Sequence, residues 1–200
     1  MLGHVAFLGL MVGWYVIRLP HLVRSRRTPV VASRRDLRER VLMAISGAGL
    51  GFVPLGYITF GFGGIGDRPT HIASVIAGIA VALLSLYLFR ESHRWLGRQW
   101  SVSLELRINH KLQTDGIYHY VRHPMYAAFW LWALAQGLLL PNWFAGLSGL
   151  VGFGSLYIFR VPVEEQIMLD TFGDAYRDYA HATPRIIPRN FLPLIRFPAD

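Results

Sequence analysis

The sequence predicts an all-α, multi-pass integral membrane protein with about five transmembrane helices. Three observations carry this. Of 200 residues, 53% are apolar and only 16% charged, a balance unusual for a soluble domain. Five apolar stretches approach the ~20 residues with which a helix crosses a bilayer. The charged residues fall almost wholly into three segments that alternate with these stretches.

The first stretch, Met1–Leu19, lacks a basic start and a small-residue cleavage site, so it reads as a retained span and not a removed signal peptide. Neither end carries a lipidation motif. Segment 18–40 follows with eight arginines against Asp36 and Glu39. The second stretch is Val41–Phe60, followed by a Gly-rich loop at 61–69 that holds only Asp67 and Arg68. The third is Thr70–Phe89, and the order Glu91, His93, Arg94, Trp95 carries its helix onward. From there to Val121 the chain is polar, with Trp95, Trp100, Leu104, Leu106, Ile108 and Leu112 embedded. Leu104–Ile108 alternates like a strand, but over too few residues to decide between a strand and an extended segment.

Pro124–Leu140 and Trp143–Phe159 are the fourth and fifth stretches, separated only by Pro141-Asn142. So tight a break implies an antiparallel helical hairpin, because only a helix satisfies its own backbone in hydrocarbon. Pro124 suits a first helical turn, where its missing N–H costs nothing. Beyond Glu165, the spacing of Ile167, Met168, Leu169, Phe172, Tyr176 and Tyr179 predicts an amphipathic helix against the membrane. The prolines of 183–189 end it.

Alternating five spans puts 18–40, 90–123 and 160–200 on one side, and the positive-inside rule makes that side cytoplasmic. The amino-terminus is then expected outside and the carboxy-terminus inside. Net charge is +8, from nineteen arginines and one lysine. The 18–40 run reads as a topology determinant that binds anionic headgroups. It has no interleaved aromatics, so nucleic-acid binding is not expected. There is no cysteine, which excludes disulfides, thiol nucleophiles and iron–sulfur chemistry. His4, His21, His71, His93 and His181 read as interfacial or loop residues; Trp130, Trp132 and Trp143 read as packing and interface anchors.

Two polar clusters stand at the mouths of the hairpin. Gly116–Tyr126 contains Arg122-His123-Pro124, where the residue before proline is pushed out of helical geometry. Arg122 and His123 are either headgroup anchors that snorkel or parts of a site; ionisable residues in such places read as functional by default. A His119/His123 metal pair lacks a third ligand, and no metal is expected. In the second cluster Arg160 and Glu164 lie four apart on one helical face. They form a capping ion pair or a site. Pro162 between them invites a kink, and of the adjacent Glu164 and Glu165 one is expected to turn inward while the other faces water.

This arrangement resembles the isoprenylcysteine carboxyl methyltransferase family of integral-membrane enzymes. The residues that carry it are Arg122-His123-Pro124-Met125-Tyr126 and Glu164-Glu165. Around them lie His110-Lys111-Leu112-Gln113, Gly116-Ile117-Tyr118, and Phe172-Gly173-Asp174 with Tyr176, Tyr179 and a following Pro-Arg. Ala128 and Gln113 depart from the family's pattern. The resemblance covers about Trp95 to Arg189. It implies methyl transfer from S-adenosylmethionine in a cytoplasmic pocket built by the carboxy-terminal half. Residues 1–89 would then be an amino-terminal three-helix membrane region, and 90–200 the catalytic region with hairpin 124–159. By the same resemblance the cofactor contacts His110, Lys111, Leu112, Gln113, Tyr118, His123, Pro124, Met125, Tyr126 and Glu164, and Arg160 faces the methyl acceptor. A further contact near Ser103–Glu105 has no assigned residue. The implied acceptor is lipophilic or prenylated and enters from the bilayer. Two other readings stand beside this one: a lipid-amine methyltransferase or reductase on a similar scaffold, and a non-enzymatic membrane scaffold.

Overall fold

The computed structural model describes residues 1–25, 30–33, 37–96, 105–107 and 112–189. Helix α1 (Leu2–Ser25) is followed by a short strand β1 (Val30–Ser33), then α2 (Leu37–Gly47), a π-helical turn (Ala48–Phe52) and α3 (Val53–Phe60). Helix α4 (Ile72–Leu96), strand β2 (Glu105–Arg107), a single turn α5 (Ile117–Tyr120), α6 (Pro124–Leu139), α7 (Trp143–Phe172) and α8 (Asp174–Ala182) complete the order.

Leu37 to Phe60 is one helical rod, and its π turn has a local cause. Pro54 has no N–H for the carbonyl four residues back, and its ring crowds that carbonyl. Widening the turn relieves both; the Val53 N–H accordingly bonds to Ala48 O, five residues away. The widened turn lies directly on α7. A Cβ on Gly49 would stand 2.2 Å from the Ser148 carbonyl oxygen, so only glycine permits this backbone-to-backbone approach, as in other tightly packed membrane helices. Buried Gln136 of α6 pins the same contact, donating to Gly49 O at 3.0 Å and Ala145 O at 2.6 Å.

Helix α6 is the hub. It packs chiefly on α4 and α7 and also touches α1 and the π turn, burying Ala127, Ala128, Trp132, Ala133, Ala135 and Leu139. Phe7, Leu10, Val75, Phe89 and Phe153 fill the same core, with the Trp14 ring stacked on Phe89 at 5.8 Å and edge-on to Trp132 at 5.7 Å.

By length and composition, four helical rods among the described residues can cross a membrane: Leu2–Val23, Leu37–Phe60, Ile72–Leu96 and Trp143–Phe172. The fifth expected stretch forms α6, with 16 residues. At ~1.5 Å per residue it is shorter than the ~30 Å hydrocarbon layer.

The ends of the bundle differ in chemistry. At one end the 61–69 loop meets the hairpin turn: Trp143 N donates to Gly66 O at 2.8 Å, Arg68 N donates to Pro141 O at 3.0 Å, and Asn142 Nδ2 donates to Asp67 Oδ1 at 2.8 Å. Arg68 also donates to the carbonyls of Gly137 and Leu140, closing the carboxy-terminal end of α6. The amino-terminus lies here too, His4 against Tyr57 at 5.6 Å. The opposite end gathers α5, the start of α6, the far half of α7, and α8.

Two expectations are corrected, and one that stood open is decided. The amphipathic segment after Glu165 is not one surface helix. α7 continues through Pro162 to Phe172, turns at Gly173 (φ 56°), and α8 starts anew. His93 is neither interfacial nor in a loop; it is fully buried at the end of α4, its Nδ1 2.9 Å from Phe89 O and its ring 4.8 Å from His21. The alternation at 104–108 does include a strand, because residues 105–107 pair antiparallel with β1 in the arginine-rich segment.

Candidate active site

The local geometry of the first cluster follows from Pro124. His123 is driven to φ −123°, ψ 61°, and α6 begins at the proline. That bend leaves the N–H groups of Arg122 and His123 outside the helix. The segment after α8 takes them up: Arg122 N donates to Pro184 O and His123 N to Arg185 O, both at 2.8 Å. The Arg122 side chain ties the same segment, its Nη1 donating to Ala180 O at 2.5 Å and Thr183 O at 2.7 Å. Tyr179 OH donates to Tyr118 O at 2.6 Å. The tail beyond α7 is therefore laced to the α5–α6 corner.

Glu165 organises this corner. Its Oε1 accepts from Arg122 Nη2 at 2.7 Å and lies 3.1 Å from His123 Nε2, where an N–H on that nitrogen donates. Arg185 grips it with both teeth of its fork, Nε to Oε1 at 3.1 Å and Nη2 to Oε2 at 2.7 Å, the strong bidentate form of this pair. The hydrogen bond to Glu165 raises the Arg185 pKa above its ordinary value. Burial pushes the Tyr176 phenol up to about 12, with the Glu165 charge adding to it, and burial also raises Tyr179 and Tyr118. These phenols stay neutral at physiological pH and offer no base.

Glu164, one residue earlier, turns the other way. Its Oε2 accepts from Tyr126 OH at 2.7 Å. Tyr126 stands in an aromatic wall, 5.5 Å from the His123 ring, 6.0 Å from Phe153 and 5.8 Å from Tyr157. Among the described residues Glu164 makes no direct ion pair; its partner is the neutral phenol. Arg160 instead reaches across to α2, where its Nη1 lies 3.5 Å from Glu39 Oε1. Tyr126 and Glu164 are within its electrostatic reach.

The structure thus brings His123, Pro124, Tyr126, Arg160 and Glu164 to one end of the bundle. Leu112 and Gln113 lie in the approach to α5, where Gln113 Nε2 donates to Asp115 O at 3.4 Å. Tyr118 is buried, and Met125 sits half-buried in the first turn of α6. His110, Lys111, Ser103 and Leu104 lie outside the described residues. Of the two readings of Arg160 and Glu164, the direct ion pair does not form: Arg160 meets Glu39. Glu164 and Glu165 are both half-buried and turn to separate partners, with Glu165 lining an open pocket beside the exposed Arg185. Glu39 and Arg185 were not among the expected site residues, and Glu165 was expected only as part of the Glu-Glu pair. Glu39 is one of only two acids in the arginine-rich segment; that imbalance marked it as a residue with a specific partner.

Residues 76–170 match the family model described as the isoprenylcysteine carboxyl methyltransferase family. The protein-S-isoprenylcysteine O-methyltransferase of Schizosaccharomyces pombe is 36% identical over 121 residues, covering 58% of this chain and 51% of that protein. The Arabidopsis thaliana protein-S-isoprenylcysteine O-methyltransferase B is 28% identical over 113 residues, covering 56% of this chain and 57% of its own. The chain thus spans about half the length of these curated relatives. A solved structure of the eukaryotic intramembrane Ras methyltransferase, an isoprenylcysteine carboxyl methyltransferase, superposes with a TM-score of 0.60 at 21% identity. It covers 94% of this chain and 68% of that one, so the likeness of fold extends well beyond the region that the family model matches. The resemblance read from the motifs holds.

Proposed function

From a chain whose residues 76–170 match the isoprenylcysteine carboxyl methyltransferase family, we propose a membrane methyltransferase that esterifies the carboxylate of a lipophilic or prenylated acceptor. S-adenosylmethionine, when bound, supplies the methyl group on a sulfonium that leaves as a neutral thioether. The observation that carries this reading is Glu164, a half-buried carboxylate whose direct partner is the Tyr126 phenol and not a cation. Holding a charge there favours a ligand that brings its own positive charge, and the cofactor's α-ammonium is such a group. The aromatic wall of Tyr126, Phe153 and Tyr157 suits the cofactor's apolar parts, and His123 and the 110–113 segment would hold its remaining polar edge. Among the described residues, Glu164 and the aromatic wall fit the group.

The acceptor carboxylate is already ionised at neutral pH, so the chain need not supply a base. Its task is alignment: oxygen, methyl carbon and sulfur must lie in line. Arg160, a planar fork matched to a carboxylate, orients the acceptor. With the cofactor bound, an acceptor oxygen would receive the methyl group and lose its charge, and Arg160 would hold that carboxylate in position for it. An amine acceptor would first have to lose a proton, and a guanidinium beside it gives no help. This favours the carboxylate over the lipid-amine alternative. The fifth crossing by α6, an outward amino-terminus and a cytoplasmic cofactor entrance belong to the same reading. Supporting them, the 61–69 loop and the hairpin turn share one end, and the site lies at the other.

A methyl-transfer screen with labelled S-adenosylmethionine over S-prenylcysteine acids, isoprenoid acids and lipid amines tests the proposal. Transfer to a carboxylate is expected. Transfer only to amines, or none to any acceptor with the purified chain, would overturn it.

A further inference from the structure

We propose that Glu39 is a resident stand-in for the acceptor's carboxylate: it occupies Arg160 when no acceptor is there, yields to the acceptor, and returns once the acceptor has become an ester. The inference rests on the reading of Arg160 given above and adds a residue that the family motifs do not contain.

The pair is enclosed. The Arg160 side chain is 10% exposed and that of Glu39 5%. In such surroundings an unanswered charge is costly, and this contact helps to offset that cost for both groups. Glu39 lies in the first turn of α2, and its neighbour Arg38 rests its guanidinium over the Phe159 ring at 4.7 Å. Successive residues of α2 thus meet successive residues of α7, so the carboxylate is presented to Arg160 by a packed contact between two helices.

Charge counting then gives the sequence of events. Arg160 faces Glu39 directly and has Glu164 within electrostatic reach. A bound cofactor answers Glu164. An acceptor carboxylate reaching Arg160 brings a second anion to the guanidinium that Glu39 already faces, so the two compete for it. Methyl transfer removes the acceptor's charge. Arg160 is then without an anion from the ligand, and the Glu39 carboxylate re-forms its pair while the neutral ester departs. The same residue therefore weakens binding of the acid and favours release of the product.

The test is direct binding of an S-prenylcysteine acid and its methyl ester to the full chain in detergent, saturated with S-adenosylhomocysteine so that nothing turns over. Glu39→Gln keeps shape and removes charge. It should raise affinity for the acid about tenfold relative to the ester, ~1.4 kcal/mol, whereas a merely structural Glu39 would shift both ligands alike. An unchanged acid-to-ester ratio, or a shift towards the ester, would overturn the proposal. Glu39→Asp, which draws the carboxylate back by one methylene and keeps its charge, guards against a variant that does not fold. It should move the ratio the same way by less, and no movement in a folded Glu39→Asp protein counts against the proposal equally. If neither ligand binds the wild-type chain, the assignment of Arg160 to an acceptor falls as well, an outcome distinct from binding with an unmoved ratio.

Discussion

At the scale of single residues, the site is a set of carboxylates each matched to a different partner. Glu165 is held by three basic side chains and Glu164 by a phenol, while Glu39 sits on Arg160. Replacing Glu164 with Gln should abolish measurable S-adenosylmethionine binding in a scintillation proximity assay, and wild-type affinity would exclude the residue from the cofactor site. Arg160→Lys keeps charge but loses the fork; turnover should fall by more than tenfold while cofactor affinity stays within about twofold, losses that calorimetry and initial rates separate. His123→Ala should weaken cofactor binding. His123, Arg160 and Glu164 stood out in the sequence through the proline and the four-residue spacing, whereas the roles expected of them came only with the family resemblance. Glu39 and Arg185 did not, because a pair joining residues 39 and 160 leaves no trace in local periodicity.

Helix-scale behaviour turns on how ends and crossings are satisfied. Asn142 caps α7, its side-chain oxygen accepting from Ala145 N at 3.0 Å while its amide nitrogen bonds Ile65 O and Asp67. Asn142→Ala should cost about 1 kcal/mol or somewhat more through the lost cap, seen as a lower unfolding midpoint in detergent with cofactor affinity unchanged. Most elements were legible as apolar runs of helical length. The π turn was not, although Pro54 causes it, because proline in a helical pattern signals a kink without saying how the helix absorbs it. Pro162 lies inside α7, which continues as a helix past it to Phe172 and packs against α2 and α6. The length of α7 past Phe159 is what carries Glu164 and Glu165 to Tyr126 and His123.

For the whole molecule, the distribution of charge matches the distribution of ends. Asp67 and Arg68 meet the hairpin turn at one end, and the arginine-linked site lies at the other. Because the chain has no cysteine, single cysteines report cleanly: one placed at Gly64 and one at Asp174 should label from opposite faces of sealed vesicles, and labelling from one face would break the topology. The alternation of spans was readable from composition; the central position of short α6 was not, because burial among neighbours decides it. The central claim, that this end of the bundle esterifies a carboxylate, is tested most directly by incubating the purified chain with methyl-labelled S-adenosylmethionine and an S-prenylcysteine acid. The wild type should form a base-labile methyl ester that is lost in Glu164→Gln and Arg160→Lys. Labelled ester formed equally by all three proteins would contradict that claim.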